Sequence, residues 1–140
     1  MLQVIIDNRY FLAGWMEEGR VFYYAWKGFA PPQEMKSLLE QVLTHLQKSK
    51  CSLMLQDLRH AQAVGMEMQE WIISYWLPRA VEVGIQKIAI LAPVSIFAKI
   101  AIEQIKGKSP VSNVVLESQI FEQEESALQW LYTNQLVTTK

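Results

Sequence analysis

The stretch that most constrains this chain is Cys51-Ser52-Leu53-Met54-Leu55-Gln56-Asp57-Leu58-Arg59-His60. A short apolar run ends abruptly there in an acid, a base and an imidazole. That pattern reads as a buried strand delivering polar groups to the rim of a sheet. A second such run, Lys87-Ile88-Ala89-Ile90-Leu91-Ala92, follows one helix later. Two strands buried on both faces and separated by a helix are expected to lie parallel.

The rest of the chain fits around this pair. Gln3 to Ile6, Tyr10 to Trp15 and the aromatic run Arg20 to Lys27 read as a β-meander, with Glu17-Glu18-Gly19 as a hairpin loop. Pro31-Pro32 opens a first helix, since proline is at home in a first turn where no donor is missed. Met35, Leu38, Leu39, Val42, Leu43 and Leu46 then form an apolar stripe at helical spacing. A second helix runs from near Glu67 to Gly84 and is apolar round more than half its circumference, so it needs burial on two sides. Pro78 is expected to kink it by removing the donor to Ser74. Ser95 is the expected N-cap of a third helix, Phe97 to Lys106, stopped by Gly107. Asn113 to Phe121 reads as an edge strand, and Glu124-Glu125 begins a last helix. The order β-β-β-α-β-α-β-α-β-α predicts an α/β fold with a mixed sheet, about four helices and right-handed crossovers. Residues 1–140 are read as one domain, long enough to bury a core without staples.

Charge excludes some functions. With a net charge of -1 and acids and bases interspersed, no strong draw toward nucleic acid or anionic membrane is expected. The longest apolar run, Ile88 to Ala98, is interrupted by Pro93 and is too short to span a bilayer. The first residues lack a basic n-region, and the lone Cys51 excludes an intrachain disulfide. A cytoplasmic location is the expectation. Apolar residues make up 51% of the chain, and part of that surface is expected to be buried between subunits, as in a homodimer.

Several of these segments together resemble the SpoIIAA-like family within the wider STAS-type group. The resemblance rests on Trp26-Lys27-Gly28, on Cys51 to Arg59 with its Asp-x-Arg ending, and on Trp71 and Trp76-Leu77-Pro78. Gly84 before Lys87-Ile88-Ala89 and the close from Ile120 to Leu131 complete it. It implies a binding or regulatory module without enzymatic activity or cofactor. Relatives include anti-sigma-factor antagonists, switched by phosphorylation of a serine at the start of the helix after the central strand. Here Leu58 to Met66 contains no serine or threonine, so that switch is not expected. Other members of the group bind lipids or small ligands.

Candidate site residues gather at the carboxyl ends of the two buried strands, where open α/β sheets bind ligands. They are Asp57, Arg59, His60, Ser95 and Lys99. An ion pair that merely holds the loop is the favoured role for Asp57 and Arg59, while His60 could serve as a base near neutral pH. Cys51 begins the strand that Asp57 ends, which separates it from His60. His45 and His60, the only histidines, stand on elements that do not meet, so no metal site is expected. Trp71, Tyr75 and Trp76 could line an apolar pocket, form a dimer contact or simply pack the core.

Three hypotheses follow. A protein- or self-binding module would expose an apolar patch of several hundred Å². A carrier of a small apolar or lipid-like ligand would hold a cavity of about 300 Å³ or more between the second and third helices. A hydrolase or transferase would bring Asp57, Arg59 and His60 together in a cleft.

Overall fold

The computed structural model describes residues 2–108 and 115–133. Its six strands form one sheet in sequence order: β1 (Gln3–Asp7), β2 (Phe11–Met16), β3 (Val21–Trp26), β4 (Leu53–Asp57), β5 (Lys87–Leu91) and β6 (Glu117–Phe121). The first three are antiparallel neighbours, and β3 to β6 run parallel. The meander and the parallel half are therefore both present, fused at β3. The last strand is shorter than its sequence pattern, and residues 113 and 114 lie outside the described residues.

Parallel pairing requires crossovers, and helices supply all three. They are α1 (Pro32–Gln47); a continuous helical rod comprising α2 (Met66–Trp71), a π turn (Ile72–Trp76) and α3 (Leu77–Glu82); and α4 (Ile96–Lys108). Each strand is added in the same direction, so crossovers of one hand put all three helices on one face. The six apolar positions of the α1 stripe are all buried there. On the opposite face α5 (Glu124–Leu131) seats Ala127 and Leu131 against Val21, Leu53, Leu55, Ala89 and Leu91. Strand alternation sorts β4 between the two layers: Met54 and Gln56 face the crossover helices, and Leu53, Leu55 and Asp57 face the α5 side.

Pro78 does not break the rod. The backbone widens one turn ahead of it, and the Leu77 N–H bonds the Ile72 carbonyl five residues back. A π turn thus absorbs the register change imposed by proline while Leu77 stays helical. Gly84, at φ +114°, ends the rod as expected, because a left-handed residue costs glycine little. Gly107 does not end α4, which continues to Lys108. An interior glycine costs a helix only about 1 kcal/mol, and this one takes no left-handed φ.

Two features tie the periphery to the core. Lys87, buried at the start of β5, donates from Nζ to the Trp130 and Thr133 carbonyls at 2.6 and 3.1 Å, at the end of α5 and just beyond it. Gly14 lets β1 approach β2 closely: a Cβ there would overlap the Gln3 carbonyl oxygen and lie 3.0 Å from Val4 Cα. Gly14→Ala is expected to cost about 1–2 kcal/mol by pushing the edge strand away. Hydrogen exchange should speed up in β1 and stay unchanged in β4 and β5. Uniform change across the sheet would contradict this local account.

Candidate functional site

The polar end of β4 closes on itself. Asp57 is buried, and its carboxylate accepts from the Tyr23 hydroxyl at 2.8 Å. It also accepts from Arg59 three times, from Nε at 2.9 Å, from Nη2 at 2.6 Å and from the backbone N–H at 3.3 Å. Burial pushes the Asp57 carboxyl up, but the Arg59 and Tyr23 donors outweigh it and hold it below its ordinary value. With its acceptors filled, this carboxylate has little left to offer a substrate. His60 is exposed, makes no side-chain hydrogen bond among the described residues, and does not join the pair. The three groups do not converge, which removes the motive for a hydrolase centred on them.

The remaining candidates disperse. The Ser95 hydroxyl accepts from the Ala98 N–H at 3.3 Å and so caps α4. Lys99 is exposed one turn further on. Trp71 and Tyr75 stack on one another at 5.2 Å along the seam with α1. There Lys36 lies over the Trp71 ring, and the Tyr75 hydroxyl donates to Glu40 at 2.8 Å. Neither ring lines the apolar cavity under the helical rod. Trp76 does: it is buried, donates its indole N–H to the Leu39 carbonyl at 2.9 Å, and packs edge-on against Tyr24.

Beneath Trp76 lies a cavity of about 210 Å³ between the sheet and the crossover helices. Tyr24, Gln56, Ile88 and Ile90 form its floor; Met68, Ile72 and Trp76 line one side; Ala98, Ala101, Ile102 and Ile105 line the other. The loop from Ala61 to Gly65, with Leu58, walls one end. Gln69 fastens that loop, its Nε2 donating to the Val64 carbonyl and to Gln104 of α4, both at 3.1 Å. Burial pushes the Tyr24 hydroxyl far above its ordinary range, so the floor carries no phenolate charge at neutral pH. A ligand carrier is expected to hold about 300 Å³ or more between the second and third predicted helices; this cavity is smaller and is bounded by α1 as well, through Pro32, Met35 and Leu39.

Most of these lining residues were not singled out by sequence reasoning. Gln56, a lone amide inside an apolar strand, was the available signal. Lys106, also in the lining, looks in sequence like any cation in a last helical turn. Exposed apolar side chains include Val94, Ile96, Phe97 and Ile100 around the start of α4, with Met66 at the start of α2 and Phe29 before α1.

Among the described residues no group of three His, Cys, Asp or Glu could hold a metal ion. No described helix is long and apolar enough to cross a membrane. Compared with protein-family models, curated proteins and solved structures, the chain matches none.

Proposed function

We propose that this chain is a non-enzymatic cytoplasmic binding module whose cavity holds a small apolar ligand. The single observation carrying this reading is the cavity itself: 210 Å³, walled by aliphatic and aromatic side chains, with Gln56 as an orienting amide on its floor. Apolar sites with a few fixed polar groups are the usual form of small-molecule pockets, though drug-sized ones begin near about 300 Å³. The ligand is correspondingly small or slender. A SpoIIAA-like assignment is part of the same proposal, supported by the mixed sheet and by the Asp57-Leu58-Arg59 ending of β4. In that reading, the region where relatives carry a phosphorylated serine is here a cavity wall without a hydroxyl residue.

Native mass spectrometry of protein purified from its own host tests the reading. A low-mass apolar adduct is the expected result, and it should be missing from the Ala101→Phe variant. Ala101 is buried in the cavity wall, so the added ring fills the space while the sheet and its helices persist. A ligand-free spectrum from the native protein would count against the proposal, as would an adduct surviving Ala101→Phe.

A second reading, partner or self-association, is favoured by one observation. Val94, Ile96, Phe97 and Ile100 are each at least 49% exposed and lie together at the start of α4. Phe97→Ser would then lower the association state seen by light scattering. A monomer at all concentrations would remove the self-association form.

A further inference from the structure

We infer that the cavity selects a slender anionic amphiphile, a medium-chain carboxylate, with its head group at Lys106. The inference rests on the ligand-binding reading above and deepens it. The lining extends from the carboxyl rim of the sheet, where Gly28, Phe29 and Ala30 join the loop from Ala61 to Gly65, to the end of α4. It follows α4 from Ala98 to Lys106, eight rises of about 1.5 Å, or about 12 Å. Along the rod it follows Met68 to Leu77 over a similar distance. An extended alkyl chain can reach from one end of this lining to the other.

The two ends differ in chemistry. One lies at the carboxyl rim of the parallel strands, under the loop from Ala61 to Gly65. The other lies where α4 finishes and β6 begins, with Ser118 in register beside Ile88 of β5. Lys106 stands at this second end and, among the described residues, is the only charged one in the lining. Among the described residues it forms no ion pair. The Ser118 hydroxyl adds a donor nearby, and among the described residues no carboxylate lines the cavity. Tyr24 stays neutral. The cavity is thus mainly apolar, with the Gln56 amide on its floor and a cation at one mouth, complementary to a fatty tail ending in an anion.

Titration of the purified chain with octanoate and with octanol, followed by calorimetry at low salt, separates the parts of this inference. Octanoate is expected to bind about five- to tenfold more tightly, the size of a charge-assisted hydrogen bond at a partly wet mouth. Lys106→Met should erase that preference, so that octanoate and octanol bind alike; Lys106 is exposed, so the variant keeps its fold. Equal affinities in the native chain, or a preference surviving Lys106→Met, would overturn the head-group assignment alone. Binding of neither compound would overturn the cavity reading with it.

Discussion

Trp76→Ala is expected to destabilise the fold by about 3–5 kcal/mol, more than any substitution at the rim of β4. The indole is 1% exposed and joins three elements at once. It hydrogen-bonds α1 through the Leu39 carbonyl, packs edge-on against Tyr24 of β3, and roofs the cavity from the π turn. Removing it enlarges a void that already exists, so neighbouring side chains lose packing partners without a way to close ranks. A domain of this size has about 5–15 kcal/mol in total, so the variant should stand near its unfolding threshold. Trp76→Phe keeps most of the volume and loses the indole donor, and about 1–2 kcal/mol is expected. Urea unfolding followed by circular dichroism measures both. A loss below about 1 kcal/mol for the alanine variant would show that the cavity walls collapse freely.

Asp57→Asn comes next, at about 2–3 kcal/mol. Breaking a fully buried ion pair costs about 3–5 kcal/mol, but the Arg59 side chain is 45% exposed and can rehydrate, which reduces the loss. The substitution also sets an amide where Arg59 and Tyr23 now present only donors. Its pH signature is specific. The folded state holds the Asp57 carboxyl below its ordinary value of 3.8, so the native state binds fewer protons there than the unfolded chain. The stabilisation is complete above that ordinary value and is lost as pH falls through the lower folded value. An asparagine side chain cannot titrate, so the gap between native protein and variant should shrink in strong acid.

Alkaline pH has the opposite sign. Burial, together with the bond to Asp57, raises the Tyr23 hydroxyl above its ordinary 10.0, so stability falls as pH rises beyond 10. Denaturation midpoints at acid, neutral and alkaline pH test both limbs. An acid limb identical in Asp57→Asn would detach the carboxylate from the effect.

The sequence by itself determined the elements and their order. Apolar period and length marked β4, β5 and α1 because those segments are buried in ways that leave a pattern: runs for strands covered on both faces, three- and four-residue spacing for α1. It also determined that Leu58 to Met66 carries no hydroxyl to phosphorylate. Local chemistry was legible too, in the Ser95 cap and the Gly84 stop.

Only the tertiary structure decided what the rim of β4 does. Whether Asp57, Arg59 and His60 form a site depends on where side chains turn after the strand ends, and loop directions leave no periodic trace. In the fold Asp57 turns toward the α5 side and is saturated by Tyr23 and Arg59, while His60 turns to solvent. The next residue back, Gln56, points the other way, into the cavity. That alternation is written in every strand, but which face encloses space is not. It follows from how α2, its π turn and α4 stand apart over the sheet, with Ala98 and Ala101 too small to fill the gap between them. The cavity is a property of that spacing, and Lys106 gains its meaning only from standing at the mouth.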